Sequence, residues 1–328
     1  MQQAHAVLAD VYDEVLNWVN AILVEQGIPA VSQITAVREM AWSFVARVSH
    51  QRGVWYFKCL PPFFNHELEV TRFLTRLAPN TVANYVASDS ERGFLLVEDA
   101  GPMFRECFDT GFDASLWLDA LSQYAHLQIN AMSHPMLTKL AIPDRNACRL
   151  PELVGFDITR YVEYNSDDEA EQLRPEHIET IHRAFRDWGS TMDELYRYGI
   201  SDTINHGDLH DGNLACAQQV RIFDWGDVSL THPFMSLRSV LSSISRRGNI
   251  PERSPQMEPF IQAYLQPWTQ FAPYGELRRM LTHAQKVWSL VSFLSWQHAL
   301  QNQCDPRSVS YNYALPAVLR SFAEDQGF

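Results

Sequence analysis

Two hydrophobic rhythms divide the chain. Over residues 4–26, Val7, Leu8, Val11, Val15, Val19, Ile22 and Leu23 recur at helical spacing and stop at Gly27 and Pro29, which predicts an amphipathic helix. Strand-like runs follow at Val31–Val37, Ser43–His50 and Gly53–Leu60. The last two read as a hairpin across Gln51-Arg52-Gly53, stopped by Pro61-Pro62. A helical stripe over Glu67–Ala78 precedes two more short strands, Thr81–Ser88 and Gly93–Val97. Beyond Asp99-Ala-Gly-Pro102 the texture changes. Helical patterns dominate at Phe112–Ser133, Pro175–Tyr198, Pro233–Arg247, Pro255–Tyr264, Gly275–Gln303 and Pro306–Glu324, and only Thr203–Asp224 reads as short strands and turns. Strands first and helices afterwards predict an α+β protein of two lobes, residues 1–100 and 101–328, with a hinge near Ala100-Gly101.

Composition narrows the partners. With 46% hydrophobic and 20% charged residues the chain is globular, not disordered. Its 39 acidic against 26 basic side chains give a net charge of −13, without the basic footprint that nucleic-acid binding needs. The same charge tilts the expectation toward a cationic small-molecule partner. Only Lys58, Lys139 and Lys286 are lysines; every other basic side chain is an arginine, so each lysine invites a question. Five well-separated cysteines without a CxxC pair predict reduced thiols, with neither a disulfide framework nor a zinc site. The N-terminus lacks the pattern of a signal peptide, and the most apolar later stretch, Val287–Trp296, is too short to span a bilayer. The expectation is a soluble, cytoplasmic protein with no membrane partner.

The densest polar chemistry is His206-Gly-Asp-Leu-His-Asp-Gly-Asn213, followed by Val220-Arg-Ile-Phe-Asp-Trp-Gly226. Phosphoryl transfer needs a carboxylate to orient the attacking hydroxyl, and oxygen ligands to hold magnesium against nucleotide phosphates. Asp208 can play the first part, Asn213 and Asp224 the second. Upstream, Val54-Trp-Tyr-Phe-Lys-Cys-Leu60 sets Lys58 in a strongly apolar strand, where an ammonium needs a partner.

These segments resemble the aminoglycoside phosphotransferase and choline kinase family of the protein-kinase-like fold. His206, Gly207, Asp208, Asn213 and Asp224 match its H-G-D-x-x-x-x-N loop and following I-D-[WF] strand, and the Asp-to-Asn spacing is that of kinase catalytic loops generally. The resemblance implies a bilobal fold with a small antiparallel-sheet lobe and a larger helical one. It implies a kinase using ATP or GTP with Mg2+ to phosphorylate a hydroxyl of a small acceptor, aminoglycoside-, choline- or homoserine-like. In it Asp208 is the catalytic base, Asn213 and Asp224 bind the metal, and Lys58 grips the phosphates while paired with Glu67, or with Glu69 as the fallback. Phe94-Leu-Leu-Val-Glu-Asp-Ala-Gly101 resembles the family's hinge, which assigns adenine contacts to Glu98 C=O and Ala100 N–H and a pocket wall to Val97. Acceptor contacts are expected from Phe104–Asp113, Glu163–Asp168 and the helix containing Trp288.

Two departures stand out. The loop Arg38-Glu-Met-Ala-Trp-Ser43 has no glycine to cover phosphates, leaving Ser43 as a candidate donor, and Trp42 reads as a packing residue. The family's P-x-x-D-L reads Pro233-Phe-Met-Ser-Leu237 here, so Ser236 replaces the aspartate that braces the catalytic loop. These departures motivate an alternative, a kinase-like nucleotide-binding sensor or scaffold with little catalysis. A metallophosphoesterase using Asp208, His210 and Asp211 is a third reading.

Overall fold

A computed structural model describes residues 2–40, 43–107, 111–217, 219–301 and 311–327. Helix α1 (Gln2–Glu25) leads into strands β1 (Thr35–Met40), β2 (Ser43–His50) and β3 (Gly53–Cys59), helix α2 (His66–Leu77), and strands β4 (Tyr85–Asp89) and β5 (Phe94–Glu98). The strands form one antiparallel sheet in the order β1-β2-β3-β5-β4. Alternation sorts its two faces. Ala46, Val48, Trp55, Phe57, Phe94 and Leu96 pack under Val15, Val19 and Leu23 of α1. The other face carries Leu60 and Leu95 against Leu68 of α2.

Two expected strands start late, for a visible reason. Val31 is held by the Asn20 side chain through both its N–H and its carbonyl, and Ile34 by the Tyr12 hydroxyl, so this stretch belongs to α1 and pairing begins at Thr35. Likewise Thr81 and Ala83 exchange backbone hydrogen bonds with Ile222, stitching one lobe to the other before β4 begins.

The helical lobe follows: α3 (Phe104–Cys107), α4 (Ala114–Met132), α5 (Leu150–Val154), α6 (Pro175–Arg186), α7 (Trp188–Leu195), α8 (Leu237–Gly248), α9 (Glu258–Leu265), α10 (Tyr274–Gln301) and α11 (Ala314–Asp325). The helix expected over 175–198 is broken at Asp187, and Asp113 caps α4 by accepting from Ser115 N–H. Two hairpin-like pairs, β6 (Thr203–Asn205) with β9 (Ser229–Thr231) and β7 (Leu214–Cys216) with β8 (Val220–Ile222), make up the strand island. The core centres on wholly buried Trp117, Tyr124, Phe234, Tyr264, Trp268, Phe293 and Phe322. Helix α10 reaches back to the sheet lobe: His298 hydrogen-bonds Phe63 O, and Ala299 joins the Leu60–Phe64–Leu68 cluster.

The thiol expectation is corrected. Cys107 and Cys216 are bonded to each other, with Cα atoms 7.0 Å apart, whereas Cys59 and Cys148 are free. A separation of 109 residues hid the pair, because only the docking of α3 on β7 brings the two together. No described helix is long and apolar enough to cross a membrane. Trp42 lies outside the described residues.

Candidate active site

Strand β3 and helix α2 converge on one ion cluster. Lys58 Nζ lies 2.9 and 2.7 Å from the two oxygens of Glu67 and 2.5 Å from Asp224 Oδ1. Glu67 is 2% exposed, so its charge is tolerable only because the ammonium meets both oxygens. Glu69, the fallback partner, instead pairs loosely with Arg72. Burial alone would lower the Lys58 pKa, but Asp224 and Glu67 outweigh it and hold the ammonium protonated. Burial would raise Asp224, yet Lys58 keeps it below the usual carboxylate range. Next door, His66 Nε2 is 2.8 Å from Gly226 O, and burial pulls its pKa down to about 4, so it is neutral and donates to that carbonyl. The Asp224–Gly226 turn is therefore held twice, by the charge of Lys58 on β3 and by the hydrogen bond from His66 on α2. Asp224 itself sits at φ 66°, a left-handed conformation that Asp tolerates better than most residues.

The catalytic-loop segment leaves β6 and is fixed from below by neutral groups. Tyr124 OH accepts from His206 N–H at 3.0 Å and donates to Ser236 Oγ at 2.7 Å, and Ser236 Oγ donates to Asn205 Oδ1 at 2.5 Å. Gln128 donates to Ile204 O and accepts from Tyr264 OH. Ser236 thus braces the loop as a hydroxyl where the family pattern has a carboxylate. The His206 ring is buried, kept neutral by desolvation, and bonded to Phe223 O, so it ties the loop to the Asp224 strand. Gly207 takes φ 81°, and a Cβ there would lie 2.3 Å from Asp227 O, which explains His-Gly-Asp in place of His-Arg-Asp.

Beyond that brace, Asp208 is exposed, with His210 Nε2 3.4 Å from its Oδ2. His210 Nδ1 accepts from Gly212 N–H, so the imidazole faces the carboxylate with its other nitrogen. Asn213 spends its Nδ2 on Asp208 O at 2.8 Å, while its Oδ1 accepts no hydrogen bond from the described residues. An amide oxygen and a carboxylate such as that of Asp224 are donors of the kind magnesium favours.

A cavity of about 510 Å³ opens between the lobes. It brings together Ser43, Lys58, Glu67, Asp208 and Asp224 of the residues expected from sequence. Val97, Glu98, Ala100 and Asn213 do not line it. Val97 packs on the Leu60–Leu68 cluster, Ala100 is buried against Ala83 and Ala215, and Glu98 N–H is bonded to Asn84 O. Of the three expected acceptor segments only the Trp288 helix reaches the cavity; Phe104–Asp113 (its residues 108–110 outside those described) and Glu163–Asp168 do not. Sequence reading missed Arg38, Asp227, Ser239 and Tyr311 on the lining. It also missed Arg145, 4% exposed, which donates to Ser295 Oγ beside the cavity. Burial pushes Asp227 up to about 6, helped by the charge of Asp208 and opposed by Arg145. The signal for Asp227 lay in the motif, three residues after Asp224; Arg145 had none.

The fold is that of small-molecule kinases. The chain superposes on the choline/ethanolamine kinase family protein from Mesorhizobium loti with TM-score 0.56, at 18% identity over 96% of this chain and 98% of that one. Amicoumacin kinase hAmiN gives 0.57 at 15% identity, covering 98% and 96%. The GDP and kanamycin complex of APH(2")-IIIa gives 0.55 at 13%, covering 95% and 100%. In sequence, residues 118–274 match the family model described as Phosphotransferase enzyme family, APH. That stretch holds Asp208, Asn213 and Asp224, and it identifies the chain as a phosphotransferase acting on hydroxyl groups, resembling aminoglycoside phosphotransferases and choline kinases. No curated protein matches it by sequence.

Proposed function

We propose that the protein transfers the γ-phosphoryl group of ATP or GTP to a hydroxyl of a small molecule. The observation that carries this is one cavity lined by Lys58, Glu67 and Asp224 on one side and Asp208 on the other. Structural relatives support this reading: one was solved with AMP-PNP, another with GDP and kanamycin. We assign residues 1–100 to nucleotide binding and 101–328 to catalysis and acceptor binding. Glu98 C=O and Ala100 N–H take the adenine edge, Val97 its flank, and Ser43 a phosphate oxygen. Arg38, on the lining beside Ser43, supplies charge where the loop lacks glycine.

Asn213 Oδ1 and Asp224 would hold Mg2+, which when bound draws off negative charge from the nucleotide's terminal phosphates. Lys58 turns from Asp224 toward the phosphates and stays aligned by Glu67. Asp208 orients the acceptor hydroxyl and takes its proton as the oxygen bonds to the γ-phosphorus and the bond to the leaving nucleotide diphosphate breaks. His210 positions Asp208. The sensor reading loses its main support, since Tyr124, Ser236 and Asn205 supply the brace that the missing aspartate would have given. The metallophosphoesterase reading gains none: among the described residues no group of three or more His, Cys, Asp or Glu is placed to hold a metal.

The test is acceptor-dependent release of ADP with Mg·ATP. Asp208→Asn should lower turnover by about 10²–10⁴-fold, the usual worth of a positioned general base. Its thermal shift with Mg·ATP should persist. Acceptor-dependent turnover undiminished in that variant would overturn the assignment.

A further inference from the structure

The acceptor end of the cavity has a composition that the net charge did not foretell. One face of α10 supplies Trp288, Ser292, Ser295, Trp296 and Ala299 at intervals of four, three, one and three residues, all on the lining. Tyr311 stacks on Trp296, with centroids 6.1 Å apart and planes at 22°. Of the four acidic side chains on the lining, Glu67 and Asp224 are taken by Lys58, and Asp208 faces the reacting hydroxyl. Among the described residues of the lining this leaves Asp227 for recognition, and the charge of buried Arg145 acts on it. Arg145 Nη1 donates to Ser295 Oγ at 2.5 Å, and no carboxylate of the described residues lies within ion-pair distance of it.

An acceptor bearing several ammonium groups would need more carboxylates than the described residues of this wall supply. Nor is it a cage for a quaternary ammonium. Trp296 and Tyr311 turn their faces to each other, a guanidinium sits behind Ser295, and serine hydroxyls have nothing to bond on a methylated nitrogen. What the wall offers is an indole face at Trp288 with its N–H unpartnered among the described residues, the hydroxyls of Ser239, Ser292 and Ser295, and the carboxylate of Asp227, with the Arg145 guanidinium behind Ser295. Aromatic faces beside mixed donors and acceptors suit a ring with an apolar C–H face and a rim of hydroxyls.

Resting on the kinase reading above, we propose that the acceptor is an uncharged polyhydroxylated ring, a saccharide or cyclitol. Trp288 stacks on its face, Ser292 and Ser295 bond its rim, and Asp227 accepts from a hydroxyl next to the one phosphorylated, with Arg145 behind Ser295. Arg145 is here a specificity-determining residue, since a cation beneath the wall repels amine-bearing rings.

The experiment compares ADP release across matched acceptors: methyl glucoside and myo-inositol, their aminated counterparts glucosamine and 2-deoxystreptamine, the uronate glucuronate, and kanamycin, choline and ethanolamine. The uncharged rings should exceed all others in kcat/KM by at least about tenfold. Trp288→Phe should raise acceptor KM several-fold and leave the KM for ATP unchanged. Ser292→Asp, which puts a carboxylate on the wall, should shift preference toward glucosamine by about tenfold. Arg145→Met should narrow the gap between neutral and aminated rings; should it fail to fold, Ser292→Asp reads the same question. A preference of the native protein for aminated, quaternary-ammonium or acidic acceptors would overturn the pocket assignment while leaving the kinase reading intact. Absence of acceptor-dependent ADP release from every compound would overturn the pocket assignment and count against the kinase reading as well.

Discussion

The neutral brace under the catalytic loop makes a quantitative claim through Tyr124→Phe. Phenylalanine keeps the ring and its packing between Tyr264 and the loop, so no cavity opens. What is lost is one oxygen that accepts from His206 N–H and donates to Ser236 Oγ, both groups being fully buried or nearly so. The Tyr124–Ser236 bond is worth about 1 kcal/mol net, and an orphaned buried N–H adds about 1–3 kcal/mol. The variant should therefore lose roughly 2–4 kcal/mol in urea melts followed by circular dichroism. Much of that relaxes by moving His206, and with it Asp208 two residues on. Each 1.4 kcal/mol of misplacement at the reacting hydroxyl costs about tenfold in rate, so kcat should fall about 10–50-fold. The KM for ATP should stay within about twofold, because Lys58, Glu67 and the hinge do not touch Tyr124. A variant as stable and as active as the parent would refute the brace. So would one whose loss appeared in the KM for ATP alone.

Three further outcomes follow from single sites. Gly207→Ala forces a Cβ against Asp227 O at positive φ, and should abolish turnover with a stability loss of at least about 2 kcal/mol by thermal melt; a mild phenotype would contradict the close approach. Lys58→Met strands buried Glu67 and should cost about 3–5 kcal/mol, much of it recovered in Lys58→Met/Glu67→Gln, while neither regains activity; equal stability of the two variants would deny the pairing. His66, held neutral at a pKa of about 4 against an unfolded value near 6.5, favours folding above the unfolded value, and this stability is lost as pH falls toward 4. Between pH 7 and 5 the parent should lose about 2 kcal/mol more than His66→Gln, whose amide also donates to Gly226 O; parallel pH profiles would show that His66 is not the group.

How much was legible depended on how local the cause was. The sheet alternation, Lys58 among apolar neighbours and the Asp208–Asn213–Asp224 spacing are short-range patterns, and the structure assembles Lys58, Glu67, Asp208 and Asp224 around one cavity. The late starts of β1 and β4 were not legible. They depend on Asn20 and Tyr12 reaching across from α1, and on Ile222 capturing Thr81 and Ala83 from more than a hundred residues away. The same holds for Ser236. Read alone it is a missing carboxylate; beside Tyr124, Gln128 and Asn205 it is a fully bonded hydroxyl, and only tertiary contact distinguishes the two.

Net charge and the acceptor wall bear on recognition at different ranges. Net charge sums side chains over the whole surface, whereas recognition depends on the few that face the ligand under low dielectric. Phosphate handling is chemically inflexible, so its residues sit in a tight motif. Acceptor recognition is free to vary, and on the proposal above it is written on one helical face, Trp288 to Ala299, with Arg145 arriving from a loop far away in sequence. A periodicity of three and four residues carrying Trp, Ser, Ser, Trp and Ala reads as ordinary core until the opposite side of α10 is seen to bury Val287, Leu290, Val291 and Leu294 instead. With the core contacts already met by that side, the Trp–Ser face is left to the cavity, where the proposed acceptor would meet it.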